Sequence, residues 1–124
     1  MVDLLNKCPQ SVLLGHTIHT RDIIKALNRD YSISPILFDS HRPEGCGFFL
    51  QYSFFKQQLP DNEYYTLQSL LEIPNEYEYR NNYILVSLSP FFQDIVNSNM
   101  ERLESIYIVS CYSELIAALP SFKI

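Results

Sequence analysis

The segment Asp39-Ser-His-Arg-Pro-Glu-Gly-Cys-Gly47 holds a thiol, an imidazole and a carboxylate in one short stretch. A thiolate nucleophile needs a base to take its proton and a third group to orient that base, and Cys46, His41 and Asp39 supply those atom types. The glycines beside Cys46 would leave its sulfur accessible. Catalytic groups, however, usually come from separate elements that hold them rigidly, and one loop offers little such support. The plain reading is a polar connection whose glycines provide turn geometry. No catalytic residue is therefore expected, and a small cysteine-dependent enzyme using Cys46 and His41 is kept as an alternative.

His16 and His19 stand three apart. On a helix they would share a face and could hold a metal; on a strand they would point to opposite faces. The local sequence favours strand or loop, and no Asp or Cys cluster nearby completes a site, so neither a metal nor a cofactor is expected. Ser87, Ser89, Ser110 and Ser113 fall near the ends of two strand-like segments. Ligands of open α/β sheets favour the carboxyl edge, and a helix starting after Ser89 could hold an anion. Serine is also the preferred helix cap, and capping is the simpler reading. No glycine-rich phosphate loop, Gly-x-Ser-x-Gly or His-Glu-x-x-His motif occurs in a chain with three glycines.

The remaining candidate is a surface for a partner. Residues 61–83 carry Asp61, Glu63, Glu72, Glu76 and Glu78 against Arg80, which is −4 of the whole chain's −5, together with five tyrosines. Tyrosines give rigid amphipathic anchors, and carboxylates beside them can pair with Lys or Arg and speed encounter with a basic protein. The expected partner-binding residues are Asp61, Glu63, Glu72, Glu76, Tyr77, Glu78 and Tyr79. The alternative is that Tyr77 and Tyr79 face the core while the acids keep an edge strand soluble.

Which elements would position these groups follows from periodicity. Thr20 is a good N-cap for a helix with Ile23, Ile24, Leu27 and Tyr31 at helical spacing. Residues 12–18 read as a short strand or the start of that helix. Residues 35–38 and 48–55 read as strands, and an antiparallel pair is expected across the loop between them. Asp61 caps a helix that ends before Pro74. Residues 76–80 alternate as a strand, and Asn81-Asn82 turns it into a hairpin with the strand 83–88. Ser89 is an N-cap with Pro90 at the first helical position. Phe92, Ile95, Val96, Met100 and Leu103 then form one apolar stripe. Residues 106–111 are a strand, and Ser113 caps a last helix stopped by Pro120. Strand, helix, strand makes a β-α-β unit with parallel strands and a right-handed crossover.

The expected fold is thus α+β (mixed α/β): a single small domain over 1–124, with a mixed sheet, a C-terminal β-α-β unit and helices packed on it. With 47% apolar residues and 14% aromatics, the chain has material for a core, which disordered chains lack. Net negative charge disfavours nucleic acid and anionic membrane as partners. Three widely spaced cysteines argue for reduced thiols rather than a disulfide framework. The N-terminus has no basic flank followed by a long apolar run, and no apolar run approaches a bilayer's thickness. A soluble cytoplasmic protein is expected. The best-fitting function is an inhibitor acting by protein–protein binding, in particular an immunity protein that neutralises a basic, nuclease-type toxin. A secretion-type chaperone is the alternative, since phenylalanines such as Phe48, Phe49, Phe54 and Phe55 could line a client groove.

Overall fold

The computed structural model describes residues 2–6, 10–15, 17–39, 54–57, 63–77 and 83–122. Among the described residues there are five strands: β1 (Gln10–Leu14), β2 (Ile36–Asp39), β3 (Phe54–Gln57), β4 (Tyr83–Ser87) and β5 (Tyr107–Ser110). The described helices are α1 (Val2–Asn6), α2 (Thr20–Tyr31), α3 (Glu63–Tyr77), α4 (Pro90–Ser98), α5 (Met100–Glu104) and α6 (Tyr112–Ala117). The strands form one sheet in the order β3-β2-β1-β4-β5.

Helices and strands mix as the sequence suggests, and β4, α4, α5 and β5 form the expected β-α-β unit with a parallel pair. The strand directions elsewhere differ from expectation. Among the described residues all four pairings are parallel, so the sheet they form is not mixed and β2–β3 is not antiparallel. The reason is connection length: residues 40–53 separate the two strands, enough for the crossover a parallel pair needs and far more than a tight hairpin uses. The hairpin onto β4 also fails. Both edges of β4 are taken, by β1 and β5, and residues 76–77 belong to α3; residues 78–82 lie outside the described ones.

Strand order proceeds outward from β1 in both directions, which is the doubly wound plan. With right-handed crossovers, helices before and after the reversal go to opposite faces. The two cores follow this. Leu13, Leu37, Ile84 and Val86 pack with Ile23, Ile24 and Leu27 of α2 and Leu115 of α6. Val12, Leu14, Ile36, Phe38 and Leu85 face the other way, onto Leu67 and Leu70 of α3 and Phe92, Ile95 and Val96 of α4. All five residues of β1 and of β4 are buried, as expected of central parallel strands covered on both faces.

Two helix boundaries were misjudged from sequence, besides Ser113, which lies inside α6 with Cys111 as N-cap. Thr20 is the first residue of α2 and His19 its N-cap. Helix α3 does not stop before Pro74 but continues to Tyr77. Proline has no N–H, so the carbonyl of Leu70, four residues earlier, loses its helical donor. The Tyr107 hydroxyl, from β5, donates to that carbonyl instead. Tyr107 is buried against Tyr83, with ring centroids 5.9 Å apart, edge to face. The helix tolerates its proline because the sheet supplies the missing bond.

Replacing Tyr107 by Phe is expected to strand the Leu70 carbonyl and reduce unfolding free energy by about 1–3 kcal/mol. In a Pro74→Ala background, where an amide can again serve Leu70, the loss should shrink. Urea unfolding of the four proteins measures this coupling; equal losses in both backgrounds would rule the compensation out.

Candidate functional site

Strand order reverses between β1 and β4, and the crevice outside their carboxyl ends is where open α/β sheets bind ligands. The chain builds this crevice from the last residues of three strands. β1 ends at Leu14, level with Phe38 of β2 and Ser87 of β4. The ladder reaches one step further on both sides: the Gly15 N–H donates to the Phe38 carbonyl at 2.7 Å, and the Leu88 N–H to the Leu14 carbonyl at 2.8 Å.

Gly15 is required here twice over. Its φ is +78°, a region L side chains disfavour. A Cβ on it would also lie 2.6 Å from Ser89 Oγ and 2.9 Å from Phe92 Cδ2. The first turn of α4 therefore packs directly on the backbone at the end of β1. One residue past the Leu14–Phe38 pair, buried Asp39 ends β2 level with Gly15.

The turn after Gly15 is closed on itself. The Thr17 N–H donates to Thr20 Oγ1 at 2.7 Å, and the His19 N–H to Thr17 Oγ1 at 3.0 Å. The Thr20 N–H donates to the Thr17 carbonyl at 3.2 Å. Positions 15, 17 and 20 have the spacing of the three glycines in a dinucleotide-binding turn. Only the first is glycine. The threonine hydroxyls occupy amides that such a turn leaves open for a pyrophosphate. Ile18 projects from this turn with 91% of its surface exposed, while the His19 ring meets Phe122 edge-on at 6.0 Å.

The start of α4, like that of α2, has no side-chain cap. Ser89 is its N-cap in extended conformation, but no side chain caps the helix. Pro90 has no amide hydrogen, and the Gln93 N–H goes to the Ser89 carbonyl at 3.0 Å. The amides of Phe91 and Phe92, which an N-cap side chain would normally take, are thus uncapped, and no acid stands in the first turn. Ser87, two residues earlier, is only 6% exposed, and its hydroxyl has no hydrogen-bond partner. Ser11 and Thr66 are the other buried hydroxyls so placed among the described residues. Of the four serines singled out in the sequence, Ser87 and Ser89 meet at this crevice; Ser110 and Ser113 lie at the next connection, after β5.

Cys111 follows β5 on the same edge and is exposed. Its thiol lies 3.3 Å from Ser113 Oγ. That hydrogen bond lowers its pKa below the ordinary cysteine value, against the opposing carboxylate of Glu114. Of the loop considered for catalysis, Asp39 alone is described; His41 and Cys46 lie outside the described residues, as does His16. Among the described residues no group of three His, Cys, Asp or Glu could hold a metal.

The described part of the acid–tyrosine window has the expected helix, which also takes in residues 76 and 77, expected in a strand. Glu63, Glu72, Glu76 and Tyr77 belong to α3, whereas Asp61, Glu78 and Tyr79 lie outside the described residues. Helical spacing sets positions 72 and 76 one turn apart and ends the strand-like alternation expected for 76 and 77. Glu72 is exposed. Since α3 leads towards the start of β4, its carboxyl end is at the opposite sheet edge from the crevice. The functional groups missed from sequence are Gly15 and the pairing of Thr17 with Thr20. The glycine spacing with one glycine kept was the available signal.

Comparison of the chain with models of protein families, with curated proteins and with solved structures finds no match. Among the described residues no helix is long and apolar enough to cross a membrane.

A Gly15→Ala substitution is expected to cost about 2–3 kcal/mol from left-handed strain and overpacking. Adding Ser89→Ala should recover part of this by removing the nearest atom. Thermal and urea unfolding report the change; a Gly15→Ala protein as stable as its parent would contradict the packing described.

Proposed function

We propose that the chain is a ligand-binding domain that takes a small anionic molecule in the crevice at the carboxyl ends of β1 and β4. The observation that carries this reading is the reversal of strand order at β1 and β4, where Gly15 lets the first turn of α4 sit directly on the end of β1. Supporting it, the α4 helix begins there with uncapped amides and no acidic residue in its first turn, and helix amino termini favour negative charge. Glu72 and Glu76 stand near the far end of α3, while buried Asp39 ends β2 on the crevice edge. Binding, with no catalytic step, is the activity proposed.

Thermal unfolding with inorganic phosphate and nucleoside phosphates, at matched ionic strength, tests it. A melting temperature that rises with probe concentration is expected from ligand linkage. No rise with any phosphorylated probe up to about ten millimolar, a level at which a millimolar binder would add over 1 kcal/mol, would overturn it.

A second reading, an inhibitor of a basic protein such as an immunity protein's nuclease-type toxin, is favoured by one observation. Glu72 and Glu76 are one turn apart near the carboxyl end of α3, where no basic residue stands in the last turn. Like charges there oppose each other and the helix dipole. A basic partner would relieve both. Reversing the two to Lys should stabilise the free protein by a few tenths of a kcal/mol and weaken capture of a basic partner. Unchanged affinity for a captured partner would end this reading.

A further inference from the structure

Among the described residues β5 is the last strand of the sheet, and no strand pairs with its outer side. Such an edge presents unpaired backbone N–H and C=O groups, and proteins usually blunt it with charge, lysine above all, or with proline. The opposite edge carries such a device, since β3 includes Lys56. β5 carries none. From Ser105 to Ser113 the chain holds no charged residue, no proline and no glycine, and its Tyr, Ile and Val residues favour extended backbone.

One face of this edge is open as well. Ile108 stands level with Ile84 of β4, whose side chain belongs to the core under α2 and α6. Helix α6 packs against β4, and Ile108, one strand further out, keeps 36% of its surface exposed. An added strand would cover that side chain and pair the outward backbone groups together.

Charge decides what kind of strand fits. The neutral run is bounded by Glu104 and Glu114, both exposed. The Glu114 carboxylate is held at the carboxyl end of β5, where its Oε2 accepts a hydrogen bond from Ser110 Oγ at 2.9 Å. At the amino end Glu101 and Glu104 outnumber Arg102. A second copy of the chain, paired about a two-fold axis, would set the acidic end of one edge against the acidic end of the other, between two molecules of charge −5. An extended segment of another protein, with basic residues at its ends, meets opposite charge at both.

We infer that the outer edge of β5 is a docking site for an extended segment of a partner protein, uncharged where it pairs with Tyr107–Ser110 and basic on either side. The segment joins the sheet as a further strand. This use of the edge does not depend on a ligand in the crevice, and it gives a basic partner a surface other than the carboxyl end of α3.

A synthetic peptide blocked at both termini, Lys-Thr-Val-Thr-Val-Thr-Lys, tests this beside the same peptide with Glu in place of both Lys. NMR titration of the full chain shows where each binds. The lysine peptide is expected to move the Tyr107–Ser110 amides more than those of Phe54–Gln57. The Glu-ended peptide should bind about tenfold more weakly. Glu104→Lys with Glu114→Lys should weaken the lysine peptide about tenfold, and Ile108→Lys should weaken it without loss of thermal stability, its side chain being exposed. No binding of the lysine peptide up to about one millimolar, equal affinity for both peptides, or shifts confined to residues outside β5 would overturn the assignment. Sedimentation of the chain alone should show a monomer. A dimer that Ile108→Lys dissociates would make a second copy the occupant and overturn it too.

Discussion

The absence of a side chain at residue 15 is the constraint on which the molecule's arrangement turns. β1 is the central strand, buried along its length and bonded on both sides by parallel neighbours. Where it ends, the backbone turns with positive φ, and the first turn of α4 occupies the space a Cβ would need. Helix α4 therefore begins in contact with β1 and not merely above its own strand. Ser89 Oγ lies against Gly15, and no side chain caps α4. A larger residue at 15 would separate the helix start from β1 and open a gap where the crevice floor now lies.

A comparable exchange of bonds holds the opposite face. Pro74 deprives Leu70 of its helical donor, and the Tyr107 hydroxyl supplies one from β5. The edge strand is thereby tied to α3, whose Leu67 and Leu70 belong to the core on that face of the sheet. At the other end of the chain, the Asp30 carboxylate accepts hydrogen bonds from the Ser121 amide, at 2.9 Å, and from its hydroxyl. The Tyr31 hydroxyl donates to the Ala118 carbonyl. Both fasten the last turn onto the end of α2. These two polar groups are satisfied by partners distant in sequence, whereas the buried hydroxyls of Ser11, Thr66 and Ser87 have none.

Much of the fold was legible from local pattern. Ser89-Pro90 marked a helix start, and the apolar runs 83–88 and 106–111 marked strands whose parallel pairing followed from the helix between them. The direction of β2 against β3 was missed because the second strand was expected from residue 48, which left a connection of hairpin length, whereas β3 is Phe54–Gln57. Pro74 misled for a different reason: the donor that rescues it lies on Tyr107, which no local window includes. That error moved Glu76 and Tyr77 from helix to strand and made the acid–tyrosine window look like an edge. The crevice was half legible. Its serines were visible, and their place at a carboxyl edge was anticipated, but the closure of the Thr17–Thr20 turn and the lack of a partner at Ser87 are tertiary facts.

Charge illustrates the same point at larger scale. The net charge of −5 argues against anions if treated as uniform, yet screening confines each charge's influence to about 8–10 Å in physiological salt, and the first turn of α4 carries no acid. The most direct measurement is a crystal structure of the full chain with adenosine monophosphate. Phosphate oxygens about 3 Å from the Phe91 and Phe92 amides, as hydrogen bonding requires, are the expected result. A nucleotide held elsewhere, along α3 or at the amino edge of the sheet, would contradict it.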